Sequence, residues 1–368
     1  RNWRNTLNSI RKTVVGGIAA LAATTTLVAC GDAPSEENST GADGSSDFLP
    51  CIVSDAGGFD DKSFNQLSFE GVEKAAEEIG TEAKGVESNS ENDYGPNLDS
   101  LVAEGCDIIV SVGFALAAAT VESANANPEM QYALIDDAAD TDFDGEKDAD
   151  NVKPLLYDTA QAAFLAGYAA ADYTKTGVVG TYGGQPFPTV TIFMDGFRQG
   201  VEYYNEQKDA DVEVVGWDGE NGSFTGGFEA NEKATNTAKQ LLDQDVDVIL
   251  PVGGPIYQGA LTAIADSGRD IAMIGVDADQ FETDPATQDV IMTSIQKGMD
   301  VSTYDTVMAA SNGEFDPTAY VGTLENEGVS LAPFHNFEDK VSDSLADEIE
   351  QVKAGIIDGS IKVESYLN

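Results

Sequence analysis

Residues 54–66 read Ser54-Asp55-Ala56-Gly57-Gly58-Phe59-Asp60-Asp61-Lys62-Ser63-Phe64-Asn65-Gln66. They stand where an apolar run gives way to helical spacing. Glycine lets the backbone turn sharply, and acids before the first turn of a helix meet its positive end. On physics alone this is an acidic helix-capping loop. Phe64 is either a lid on the core or a flat stacking surface for a ligand. A second acidic stretch places Asp140, Asp142, Asp144 and Asp148 at positions 1, 3, 5 and 9, with Gly145 at position 6. That is the opening of an EF-hand-type calcium loop. Position 12 is Asn151 in place of Glu, and the flanks look like strands. The reading is a solvated acidic loop, with calcium as the alternative.

Other chemistry is sparse. There is one histidine, His335 in Pro333-Phe334-His335-Asn336, which reads as structural. Three cysteines (Cys30, Cys51, Cys106) do not make a disulfide scaffold. Cys51 and Cys106 precede strands that should be neighbours; both are expected to be buried free thiols, with a disulfide as the alternative if their Cα atoms come close enough. No G-x-S-x-G, P-loop, G-x-G-x-x-G or zinc-ligand spacing occurs, so neither an enzyme nor a cofactor is expected.

The elements that carry these residues follow from composition and pattern. The chain has 368 residues, with 65 Asp+Glu against 19 Lys+Arg and a formal charge of −46. Forty-two per cent is apolar, enough for sizeable cores, and the length suggests roughly two domains. Clustered Lys/Arg is missing beyond the N-terminus, which excludes nucleic acid and attraction of the folded part to an anionic membrane. Such acidity favours solubility and leads to the expectation of a salt-adapted source.

Residues 1–29 read as an export signal, basic from Arg1 to Lys12 and apolar and small from Val14 to Ala29. The signal closes in Leu27-Val28-Ala29-Cys30, which resembles a bacterial-type lipobox. Cys30 would be lipidated there, so the membrane would be met through an N-terminal lipid only. Residues 30–47 would be an acidic flexible linker of roughly 20–25 Å.

From Phe48, short Val/Ile runs alternate with helical patterns. Strands are expected at Cys51–Ser54, Ala83–Val86, Asp107–Val112, Tyr132–Ile135 and Lys153–Tyr157. A second set follows at Gly177–Gly180, Glu213–Gly216, Val246–Val252 and Ile271–Val276. Helices are expected between them at Lys62–Ile79, Tyr94–Glu104, Leu116–Ala126, Ala160–Tyr173, Thr189–Tyr204, Phe228–Leu242 and Tyr257–Ser267. This alternation argues for an α/β fold of two parallel-sheet lobes. Ligands in such folds sit beyond the carboxyl ends of the strands, where the Gly- and Asp-rich turns fall.

Asp55-Ala56-Gly57-Gly58-Phe59-Asp60-Asp61-Lys62-Ser63-Phe64-Asn65-Gln66 resembles the signature opening of the basic membrane protein family. These are PnrA-like substrate-binding lipoproteins of ABC transporters, whose characterised members bind purine nucleosides. The likeness continues through Val112-Gly113-Phe114-Ala115, Tyr132-Ala133-Leu134-Ile135-Asp136 and Ala163-Phe164-Leu165-Ala166-Gly167-Tyr168. Further on come Tyr182-Gly183-Gly184, Phe193-Met194-Asp195-Gly196-Phe197 and Gly222-Ser223-Phe224. Ile274-Gly275-Val276-Asp277-Ala278-Asp279-Gln280, Thr293-Ser294-Ile295-Gln296-Lys297 and Leu331-Ala332-Pro333-Phe334 complete it.

The resemblance implies a type I periplasmic-binding-protein fold, two doubly wound lobes joined by a three-strand hinge. The N-terminal lobe would be 48–157 plus 292–316, and the C-terminal lobe 158–291 plus 317–368. The chain would cross near Tyr157–Ala160, Met292–Lys297 and Asp316–Val321. It also implies site residues. Asp55 and Asp136 would accept from a purine edge. Phe64 and Trp217 would stack on its faces, and Phe193 would line the pocket. Asp277 would accept both ribose hydroxyls, Lys297 would donate to the ribose, and Gly253 would let backbone approach the sugar. Asn65 belongs to the same set, bonding the loop backbone rather than the ligand.

The expected function is a monomeric, lipid-anchored, extracytoplasmic binding protein that captures a nucleoside and delivers it to an ABC permease. The alternatives are the same fold binding riboflavin, a sugar or another small polar ligand, or a component of an extracytoplasmic sensor.

Overall fold

The structure, a computed structural model, describes residues 47–142 and 144–367. The signal, Cys30 and nearly all of the linker lie outside the described residues. The first lobe opens with β1 (Pro50–Val53), α1 (Phe64–Ile79), β2 (Lys84–Val86), α2 (Tyr94–Glu104) and β3 (Ile108–Val112). It continues with α3 (Ala117–Ala126), β4 (Gln131–Ile135) and β5 (Val152–Tyr157). The second lobe runs through α4 (Thr159–Tyr173), β6 (Val178–Gly183), α5 (Pro188–Lys208), β7 (Glu213–Val215), α6 (Glu232–Leu242) and β8 (Val248–Val252). Next come α7 (Tyr257–Ser267), β9 (Ala272–Asp277), the short α8 (Gln280–Thr283) and β10 (Ile291–Lys297). The chain ends with α9 (Met299–Ser311), β11 (Tyr320–Gly322), β12 (Val329–Leu331) and α10 (Leu345–Ile357).

Two six-stranded sheets result, ordered β11-β5-β4-β3-β1-β2 and β12-β10-β9-β8-β6-β7. The described pairings are parallel, except that β12 runs antiparallel to β10. All nine strands expected from the apolar runs are present. The strand 291–297 pairs with β9 and so lies in the second sheet, while 320–322 returns to pair with β5 in the first. The three crossings therefore follow Tyr157, Lys297 and Gly322, later than the boundaries at 292 and 316.

Both faces of each sheet are buried, as continuous Val/Ile runs require. Ile52 on β1 points toward Val72 and Ala75 of α1. Its neighbours Cys51 and Val53 point the other way, into a cluster with Leu98, Leu101 and Val121. In the second lobe, Ile249 and Met273 pack with Ala238, Leu241 and Ala260. The opposite face meets α4, which is buried along nearly its whole length, and α5. These two helices approach so closely that a Cβ on Gly167 would lie 2.0 Å from the Phe197 carbonyl oxygen.

The cysteines correct the free-thiol expectation: Cys51 and Cys106 form a disulfide. Cys51 pairs with Ile109 in the β1–β3 register, and Asp107 N–H donates to Leu49 O. That register brings the two Cα atoms to 5.9 Å, inside bridging range. Spacing along the chain could not supply the register. The bridge closes a separation of 55 residues, so chain entropy assigns it about 4 kcal/mol. Thermal melts should show a drop in Tm of several degrees on adding reductant, and no such drop in a Cys51→Ala/Cys106→Ala variant, which should melt early in either buffer.

Candidate functional site: a cleft between two lobes

The carboxyl ends of both sheets open on one cavity of about 530 Å³. Its lining includes Asp55, Phe64, Asn65, Asp136, Phe193, Gly253, Asp277 and Lys297. Eight of the nine residues expected at a ligand site are thus brought together from six separate stretches of chain.

The two sheets meet the cleft with related geometry. β4 ends at Ile135 with Asp136 next in the chain, and β9 ends in Val276-Asp277, each the equivalent strand of its sheet. Both aspartates adopt left-handed backbone, φ 64° and 69°, which an L-residue other than glycine enters only at a cost. One strand further along each sheet, Gly113 and Gly253 also have positive φ, 106° and 144°. A Cβ at Gly113 would lie 3.4 Å from the Phe64 ring, and one at Gly253 would lie 2.8 Å from the Phe228 ring. Each lobe therefore lays an aromatic ring against the glycine that ends its own strand.

Lys297, at the end of β10, sits between the lobes. Its Nζ donates to Asp136 Oδ2 at 2.6 Å and lies 3.5 Å from Asp277 Oδ1. The ring centres of Phe64, Phe193 and Tyr157 lie 5.0, 5.1 and 5.7 Å from it. All three charged side chains are buried. Burial works to strip the lysine of its proton, but the pull of Asp136 and Asp277 outweighs it and the ammonium is held above its ordinary range. Burial raises Asp136 even against the lysine. Burial likewise pushes Asp277 up to about 6, with Lys297 working in the opposite direction.

Asp55 stands at the first-lobe wall. Its Oδ1 accepts from Gly57 N–H and Asn65 Nδ2, each at 2.8 Å. Asn65 Nδ2 also donates to Asp61, and its Oδ1 accepts from Asp55 N–H. The amide of Asn65 thus holds the loop in shape. Asp61 takes the capping role that pattern assigned to the whole loop, accepting from Ser63, Asn65 and Gln66 N–H. This is why α1 starts at Phe64 rather than at Lys62.

Trp217 is the expected residue that the fold does not bring to the cleft. Its Nε1 donates to Asp195 Oδ1 at 3.1 Å, and its ring packs edge-on against Phe224. The second-lobe rings on the cleft are Phe187, Phe193 and Phe228. Phe187 stacks on Phe114 of the first lobe with centroids 4.9 Å apart. The spacing predicts a helix from Phe228. Asn231 ends that option by accepting from Lys233 and Ala234 N–H, so α6 begins at Glu232 and Phe228 stays on the loop.

The other acidic loop lies apart from this cavity. Asp140, Asp142 and Asp148 bring one carboxylate oxygen each within 4.8 Å of one another. Asp144 does not join them, its Oδ1 accepting from Glu146 N–H. Asp140 and Asp148 accept from the loop's own Gly145 and Thr141 N–H groups, as a solvated turn does. His335 bonds Asp279 at 2.8 Å and stacks on Phe281, a structural role away from the cavity.

Two α/β lobes hinged by three crossings around a buried polar cleft define a two-lobed small-molecule binding protein. The comparisons agree. The chain belongs to the Bmp family, the PnrA-like substrate-binding proteins of ABC transporters, whose family model matches residues 50–365. It is 30% identical over 354 residues to a CD4+ T-cell-stimulating antigen of Listeria monocytogenes, covering 92% of this chain and 94% of the relative. It is 27% identical to the ABC transporter nucleoside-binding protein BmpA of Lactococcus lactis, covering 97% of this chain and all of that relative. A crystal structure of an ABC transporter solute-binding protein from Aeropyrum pernix superposes with a TM-score of 0.76 at 29% identity, over 87% of this chain and 94% of that one. Proteins of this family bind small substrates outside the cytoplasm for ABC transporters and are not enzymes. Among the described residues, no helix is long and apolar enough to cross a membrane.

The acids make the cleft pH-sensitive. Burial raises Asp55 from its ordinary 3.8 to about 6, so between those values the folded chain holds the extra proton. The resulting stability is fully present below about pH 4 and is lost as pH rises through about 6. Asp55→Asn keeps an oxygen for Gly57 and Asn65 but removes the buried charge. It should raise Tm by about 2 °C at pH 7 and leave it unchanged at pH 4. Calorimetric melts of the two chains at both pH values check this.

Proposed function

We propose that the chain is a lipid-anchored binding protein that captures a purine nucleoside in this cleft and delivers it to an ABC permease. The observation that carries the reading is the meeting in one cavity of aromatic rings and carboxylates from both lobes. Phe64 and Phe228 offer flat faces from opposite lobes, and base–aromatic stacking contributes about 1–3 kcal/mol per base. Asp55 and Asp136 are acceptors suited to ring N–H and amino groups of a neutral base. Asp277, beside Lys297, suits a pair of sugar hydroxyls. Phe228 takes the stacking role first given to Trp217. The name of the Lactococcus lactis relative supports the same ligand class.

A ligand that touches both lobes stabilises the closed arrangement over the open one, and the permease reads the difference. The lipid anchor rests on Cys30 at the end of the signal. The Cys51–Cys106 bridge supports an oxidising compartment outside the cytoplasm.

Titration calorimetry with adenosine, guanosine, inosine, riboflavin and ribose tests the ligand. A purine nucleoside should bind at least about 100-fold more tightly than ribose, because ribose lacks the stacked base. Phe64→Ser and Asp277→Ala should each lower nucleoside affinity by about 10-fold or more. Equal affinity for ribose and inosine would overturn the reading.

A further inference from the structure

The loop before α1 belongs to the first lobe, yet it reaches into the second. Ser63 Oγ lies 3.0 Å from Val276 O and 3.2 Å from Asp277 Oδ2, so one hydroxyl proton is shared between them. Next to it, Thr283 Oγ1 donates to Lys62 O at 2.7 Å. Ser63 is fully buried and Asp277 is 5% exposed, so water does not compete for these bonds. Neither end is loosely held. Asp61 fixes the Ser63 loop through the N–H groups of Ser63, Asn65 and Gln66. Asp277 is set by the left-handed turn that ends β9.

We infer that Ser63 is a cross-lobe positioning residue. Its hydroxyl aims the Asp277 carboxylate, leaving Oδ1 toward Lys297, and ties that carboxylate to the opposite lobe. Gripping the ligand through Asp277 and closing the lobes then become one event. The inference rests on the nucleoside reading only where it assigns the sugar to Asp277. The bond between lobes stands without it. The neighbouring Thr283–Lys62 contact joins the same lobes but does not touch Asp277, which separates aiming from simple closure.

The variants Ser63→Ala, Ser63→Thr and Thr283→Val test this with inosine and its free base hypoxanthine as probes. Ser63→Ala should weaken inosine by about 10-fold, the effect of losing a hydrogen bond to a charged group, mainly through faster dissociation. Hypoxanthine, which has no sugar, should weaken by less than about 3-fold. Thr283→Val should weaken both probes by the same factor, and Ser63→Thr should restore wild-type discrimination. In an Asp277→Asn background, Ser63→Ala should add less than about 2-fold, since the two residues act as one unit. Equal losses for inosine and hypoxanthine in Ser63→Ala, or full additivity with Asp277→Asn, would overturn the positioning role.

A ligand-free arm keeps the test separate from the nucleoside reading. Paired spin labels at exposed Glu77 and Glu206 report the distance between lobes. Ser63→Ala should shift that distribution to longer distances, with Ser63→Thr restoring it. Unchanged distributions would overturn the cross-lobe bond even if no nucleoside binds. Failure of wild type to bind inosine, with the distance shift present, would overturn the nucleoside reading alone.

Discussion

One buried ammonium organises the cleft. Lys297 is the cation that Asp136 and Asp277 share, one acid from each lobe. Removing two charges from water is expensive, and their mutual attraction offsets this only with good geometry and further partners. Here the partners are in place: a bond to Asp136, a second carboxylate beside it, and three aromatic faces around the Nζ. Even so, the acids outnumber the lysine, and Asp55 and Asp277 are both pushed up to about 6 by burial. A cleft with surplus acceptors suits ligands that bring donors and no negative charge.

The fold exists to hold that ammonium between two rigid bodies. β10 carries Lys297 to the last residue before the chain crosses into α9. β4, buried but for Gln131, and the fully buried β9 each deliver an aspartate at the carboxyl end. The disulfide ties β1, which leads into Asp55, to the start of β3, which leads into Gly113. The first lobe is thus cross-braced where it meets the cleft.

The alternation of strands and helices up to Asp277 was legible because its central strands, such as β1, β3 and β8, are apolar runs buried on both faces. The last quarter was not. β11 and β12 are three residues each and carry no periodicity of their own. They exist because β5 and β10 offer an open edge far away in sequence. The same limit applies inside the site. Asp55, Phe64, Asp136, Asp277 and Lys297 stand at strand and helix ends, which pattern locates well. Trp217 and Phe228 share a glycine-rich loop, where nothing local says which ring turns inward. A tryptophan with a polar N–H finds Asp195 and turns away, while Phe228, having no polar atom to satisfy, turns toward the cleft.

The left-handed backbone at Asp136 and Asp277 also bears on how such a protein changes over time. At φ near +65° glycine, asparagine and aspartate sit with the least strain, and other residues enter at a cost. A Glu, Gln or Ser at either place would carry that backbone cost at a strand end that the sheet holds in place. Descendants that acquire a different cargo are therefore steered to rework the rings and the glycine-rich loop around Phe228, and to leave the paired acids as they are.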